Sequence, residues 1–211
     1  SSVRRLLAVT SYAEIVLAGA ATDAAHQAFS KLFVETEVLR EQQAMLCSRR
    51  PRAPDEPPLW LFHLLTASQQ PVEEVSFETD RMRFIGRGRG TADPQALDGV
   101  GPLSGSSGAV LDAVAAIRCA IALEPGATAS VDLLTGVAGS RDECLRLVAK
   151  YRDRAMADRA LAVAPMRAKD VLATLQATEA DVLLYARLAG CAIYASAALR
   201  AVPDVLASTL P

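Results

Sequence analysis

Apolar and polar residues alternate with a period of two along the first two thirds of the chain, and the period lengthens to that of a helix after Gly139. Val3–Leu17 is rich in valine, isoleucine and threonine and predicts a strand. Gly19–Gln27 is small and polar, a connection that leads into a helical turn around Phe29. Val34, Thr36 and Val38 alternate with Glu35 and Glu37, the pattern of a strand with one wet face. Ala44–Cys47 returns as its hairpin partner after the polar break Arg40–Gln43. Leu59–Leu65 (LWLFHLL) is almost continuously apolar, which predicts a strand buried on both faces. Val75, Phe77 and Thr79 again alternate with polar neighbours. Ile117–Leu123 and Ala129–Leu133 form the clearest hairpin, joined at Pro125-Gly126 by the fixed φ and positive φ of a type II turn.

Beyond Gly139 a capping box of Ser140 and Glu143 opens a helix whose apolar stripe is Cys144, Leu147, Val148 and Tyr151. An alanine-rich helix follows over Ala155–Leu175, bent or interrupted at Pro165. Thr178 and Asp181 cap another, with Val182, Tyr185, Leu188 and Ala192 on one face. Arg49–Pro58 carries four prolines and reads as a surface loop, and Gly86–Gly108 is a long glycine-rich loop of the kind that often serves function. Strands followed by a block of helices predict a segregated α+β fold, mainly β over 1–138 and helical over 139–211.

The 211 residues suit one domain with an appendage, and the charge of −2 leaves no electrostatic footprint for nucleic acid. Cys47, Cys119, Cys144 and Cys191 are far apart and only two histidines are present, which argues against zinc. Four buried thiols in a reducing, cytoplasmic setting are the expectation. No apolar run reaches the ~20 residues of a membrane span and no signal peptide is evident. The opening Ser1-Ser2, running at once into structure, reads as internal sequence.

Paired carboxylates are the first candidates for chemistry, because glycosidases flank the scissile bond with two. Glu35 and Glu37 share a strand face, as do Glu78 and Asp80, but i, i+2 pairs about 7 Å apart are routine on exposed faces. No catalytic residue is assigned. His63, inside LWLFHLL, reads as a satisfied core imidazole, and His26 lies in a small-residue connection. Gly86-Arg87-Gly88-Arg89-Gly90 lacks the spacing of a dinucleotide loop. Arg81, Arg83, Arg87 and Arg89 fit ion pairs with Glu78 and Asp80, and Arg87 and Arg89 are the candidates for hydrogen-bonding sugar hydroxyls. Gly105-Ser106-Ser107-Gly108 has the wrong spacing for a nucleophile elbow. Trp60, the sole tryptophan, is placed in the core by its strand.

Leu7–Ala13 (LAVTSYA), Ala28–Glu37 (AFSKLFVETE), Glu78–Arg89 (ETDRMRFIGRGR), Leu103–Asp112 (LSGSSGAVLD), Thr135–Ala138 (TGVA) and Ser140–Tyr151 (SRDECLRLVAKY) stand in a fixed order. Together they resemble the late part of the β-sandwich of the inverting glycoside phosphorylases once classed as glycosyltransferase family thirty-six, and within that family the phosphorylase-like region of cyclic β-1,2-glucan synthases. The resemblance implies a partial supersandwich of the galactose-mutarotase-like type followed by linker helices. It also implies an (α/α)6 barrel beyond Pro211 that carries the catalytic aspartate. No cofactor or metal is implied, and the expected partners are a β-glucan, the barrel and, through uncovered strand edges and helix stripes, a second copy of the chain. Two rival readings are a mutarotase-like epimerase using His26 or His63 and a stand-alone carbohydrate-binding module.

Overall fold

The computed structural model describes residues 2–51, 56–69, 72–99, 101–194, 202 and 205; four residues of the proline-rich loop, 52–55, lie outside that set. In chain order the first elements are strands β1 (Arg5–Thr10) and β2 (Ala13–Glu14), then helices α1 (Ala20–Ala25) and α2 (Gln27–Lys31). Strands β3 (Val34–Leu39), β4 (Ala44–Arg49), β5 (Leu59–Ser68) and β6 (Val72–Asp80) follow, then helix α3 (Arg81–Ile85). After a 3-10 turn at Gln95–Leu97 come β7 (Gly108–Ala109), β8 (Ala113–Leu123) and β9 (Ser130–Ala138). Helices α4 (Arg141–Tyr151), α5 (Arg154–Thr174) and α6 (Glu179–Ile193) end the described elements.

The strands make two antiparallel sheets, as the predicted sandwich requires. In the smaller sheet β8 is central, with β1 and β2 along one edge and β6 along the other. The larger runs β7-β3-β4-β5-β9. Between them lies the main core, where Phe77, Ile117, Cys119 and Ile121 of one sheet meet Val34, Met45, Cys47 and Leu65 of the other. The predicted β3–β4 hairpin is present, with Val34 opposite Arg49 and Leu39 opposite Ala44.

LWLFHLL is buried on both sides for a visible reason. Leu61 and Leu65 face the inter-sheet core, whereas Phe62 and Leu64 face α4. That helix begins where Ser140 Oγ accepts the Glu143 N–H, and its stripe puts Cys144 and Val148 fully out of solvent against Ala44, Leu46 and Phe62. The box itself is half made, because the Glu143 carboxylate takes the N–H of Gly139.

Three expectations change, and one helix appears that none of them covered. The Val3–Leu17 strand breaks at Ser11, whose hydroxyl accepts the Ile117 N–H. The turn Glu124–Ala127 is present, with Gly126 at φ +74° and the Ala127 N–H donating to the Glu124 carbonyl at 3.0 Å, but it makes no hairpin. It carries the chain from one sheet to the other, because β1, β2 and β6 already occupy both edges of β8, and a type II turn splays its flanking strands. Helix α5 runs through Pro165 without interruption. The short helix α3, capped where Asp80 Oδ1 accepts the Met82 N–H at 2.8 Å, has no counterpart in the expected pattern.

Ser1–Ala157 forms one compact unit and Asp158–Pro211 a second. In the second, Thr178 and Asp181 complete the predicted capping box of α6, yet no residue of α6 is buried.

Candidate functional site

Successive residues of β6 point to opposite faces of the sheet. Phe77 enters the core, so Ser76 and Glu78 face outward, opposite Arg118 and Ala116 of β8. Alternation predicts that face to be wet. Instead the glycine-rich segment 86–107 covers it, leaving Glu78 2% and Arg118 4% exposed. The strand therefore has polar side chains on a buried face, each of which must find partners.

Glu78 finds four. Its Oε1 accepts the backbone N–H groups of Thr79 and Asp80, both at 3.0 Å, and the Ser106 hydroxyl, while Oε2 accepts the Ser104 hydroxyl at 2.6 Å. Arg118 is satisfied by the same segment. Its Nε donates to Thr10 Oγ1 at 2.9 Å, Nη1 to the carbonyls of Gly101 and Gly99, and Nη2 to that of Ala96. Among the described residues no carboxylate lies within ion-pair distance of it, and burial pushes the guanidinium pKa down. Carbonyl dipoles thus hold a buried cation, and the cation holds the loop. Gly86, at φ +87°, permits the close approach: a Cβ there would lie 2.6 Å from Gln95 Oε1.

Between these clasps is a cavity of about 250 Å³, lined by Glu78, Arg83, Gln95, Pro102, Ser104 and Arg118 among others. Carboxylate, hydroxyl, amide and guanidinium groups line it, an arrangement that can both donate and accept hydrogen bonds. Glu78 is the one carboxylate among its lining residues, so the pair that glycoside hydrolysis uses is absent from this cavity.

The candidates from the sequence are dispersed. Glu35 pairs with Arg50 at 2.8 Å, and Glu37 with Arg141, whose guanidinium holds the Glu37 carboxyl below its usual range. Asp80 caps α3, and Glu78 is not solvated as its pattern suggested but held beneath the loop, at the wall of the cavity. Arg89 pairs with Asp98 at 2.7 Å and Arg87 is exposed; neither lines the cavity. Ser106 serves Glu78. Trp60 packs, half-buried, against the core beneath α4. Cys47, Cys119 and Cys144 are buried thiols, but Cys191 is only half-buried, correcting the expectation of four. Burial pushes the Cys47 thiol up to about 12.

His63 is the satisfied core imidazole that its strand implied. It is 4% exposed, with Nε2 at 2.8 Å from Ser11 Oγ and Nδ1 at 2.8 Å from Thr135 Oγ1, so it ties the two sheets together. His26 is exposed at the junction of α1 and α2. Burial lowers the pKa of His63. Below the unfolded value near 6.5 the unfolded chain then binds a proton that the folded chain resists, so stability falls as pH drops through this window. We expect the urea midpoint to decline between pH 7 and pH 5 in the wild type and to stay flatter in His63→Gln. The carboxyls of Glu14 and Glu37, whose pKa values are lowered by Arg81 and Arg141, act only below that range. Equal slopes in the two proteins would refute the assignment.

Arg118 was not among the residues singled out from sequence. Its signal was a lone charge within the otherwise apolar AVAAIRCAIAL of β8. A second polar cluster was also missed. Lys31 Nζ lies 2.8 Å from Asp112 and 3.3 Å from Glu14, and Arg81 Nε lies 3.0 Å from Glu14, joining α2, α3 and β2. Among the described residues no group of three His, Cys, Asp or Glu could hold a metal, and no helix is long and apolar enough to cross a membrane.

Residues 1–154 match the family model "Glycosyl hydrolase 94, supersandwich domain". Over 148 residues, 70% of this chain, the sequence is 37% identical to the cyclic beta-(1,2)-glucan synthase NdvB of Rhizobium meliloti (strain 1021). The match spans 5% of that relative's length. Two antiparallel sheets packed over one core, the helix α4 on the outer face of the larger sheet and this match agree, and the chain belongs to the glycosyl hydrolase 94 supersandwich family.

Proposed function

We propose that this chain is a non-catalytic β-sandwich of a larger glucan-processing enzyme, with 1–138 as the sandwich body and 139–211 as the helical connection to an (α/α)6 catalytic barrel. Its part is to support that barrel and shape the glucan cleft. One observation carries the reading: each carboxylate pair that could have acted on a glycosidic bond is already engaged. Arg50 and Arg141 neutralise Glu35 and Glu37, Asp80 caps a helix, and Glu78 is occupied by four donors. Glycoside hydrolysis needs two carboxylates flanking one bond, and the cavity beside Glu78 has a single one among its lining residues. The whole enzyme would act on a β-glucan with phosphate, in the cytoplasm, and a second copy of the chain remains a candidate partner. The mutarotase alternative, which needs His26 or His63, would have to rest on the exposed His26, because His63 is held between Ser11 and Thr135.

The test is direct. Incubated with glucose 1-phosphate and glucose, or with a β-1,2-glucan and phosphate, the purified chain should change the phosphate concentration no faster than buffer. Turnover that persists through purification and disappears in a single-residue variant would overturn the reading.

A further inference from the structure

We propose that the cavity between Glu78 and Arg118 binds one neutral, polyhydroxylated ring, a glucosyl residue in the setting of this family, and the choice of glucose rests on the functional reading above. The charges select the ligand. A free anion would be drawn to Arg118 and Arg83 but would face the Glu78 carboxylate, whose four donors are neutral groups. A cation would meet two guanidinium groups. A neutral polyol suffers neither repulsion, and its hydroxyls can both give and receive hydrogen bonds.

The unused valences fit that description. Of the five guanidinium N–H groups of Arg118, four are engaged by Thr10, Ala96, Gly99 and Gly101, which leaves one on Nη2. Glu78 Oε2 accepts only from Ser104 and has room for a second donor. Gln95 adds an amide, and Arg83, exposed at the cavity with Nη1 donating to Ser104 Oγ at 3.4 Å and Nε 3.8 Å from Asp80 Oδ2, adds the donors of Nη2. A hydroxyl donating to Glu78 while another accepts from Arg118 would bridge walls that make no direct ion pair.

Size sets the limit. About 250 Å³ is below the usual ~300–1,000 Å³ of ligand pockets, so the cavity suits one ring and not an oligosaccharide. No aromatic side chain lines it, so binding rests on hydrogen bonds and is weak, on the order of 1 mM or above.

Saturation-transfer NMR on the full 211-residue chain, with D-glucose as the probe, tests this. A saturable signal is expected. Arg83→Ala and Gln95→Ala, on exposed residues where folding is not at stake, should each weaken it several-fold to about tenfold with an unchanged melting temperature. Inorganic phosphate and glycine serve as the anionic and zwitterionic probes. Absence of a glucose signal from the folded chain, a signal indifferent to both variants, or tighter binding of phosphate or glycine than of glucose would overturn the proposal. Failure here is separable from failure of the functional reading. A chain that turns over substrate would sink that reading whether or not glucose occupies this cavity, and an inactive chain that ignores glucose would sink only this one.

Discussion

Arg118→Leu should lower the stability of the fold by about 3 kcal/mol and release the segment that covers the outer face of the smaller sheet. The side chain supplies donors to three carbonyls of that segment, those of Ala96, Gly99 and Gly101, and to Thr10 Oγ1. A buried acceptor left without a donor costs about 1–3 kcal/mol. Gly99 and Gly101 are exposed, so water can replace part of the loss there, whereas Ala96 is half-buried. Removal of an uncompensated buried cation also returns some free energy, which keeps the total below the plain sum. For a chain of this size the change corresponds to a drop in Tm of about 6–12 °C. Lysine should be nearly as damaging, because one ammonium group cannot reproduce a planar fork reaching several carbonyls at once. Hydrogen exchange should quicken at Leu103, whose N–H donates to Ser76 Oγ at 3.0 Å beneath the segment. An unchanged midpoint together with unchanged exchange at Leu103 would mean that the loop is held by other contacts.

Val148→Asp should be more damaging still, by about 4 kcal/mol, because it places a carboxylate with no partner in an apolar layer. Val148 is fully buried with Cys144 against Ala44, Leu46, Phe62 and Leu64. The ionised side chain can escape only if α4 lifts from the sheet, which would uncover Phe62 and Leu64 together. The contrast that makes the test informative is Leu183→Asp. Leu183 lies on α6 and is 75% exposed, so the same chemical change there should shift the urea midpoint by less than about 0.5 kcal/mol equivalent. Comparable losses at the two positions would show that α6 buries its apolar face in solution.

Elements whose signals are local were legible in the order of residues alone. Period-two alternation located the strands, and a capping serine at position 140 followed by a 3.6-residue stripe gave α4 and the face it buries. A continuous apolar run marked β5 as covered on both sides, and the buried place of His63 followed from that run alone. Side-chain direction is set by the backbone over two to four residues, so these features need no knowledge of the partner.

Which strands pair, and what covers each face, emerged from the packing of the whole chain. Pro125-Gly126 dictates a turn, but whether its two strands join one sheet depends on the edges of β8, and those are taken by residues from positions 5–14 and 72–80. Glu78 looked solvated because alternation reports a face opposite the core and says nothing of a loop returning over it from 86–107. The site is made by that return: Arg118 and Ala96 are 22 residues apart in sequence, Glu78 and Ser106 28 apart, and each depends on the other for its hydrogen bonds. Interactions between distant residues leave no periodic trace, since each partner follows its own local pattern. A lone arginine in an apolar strand shows that something must satisfy it, and only the folded chain shows what does.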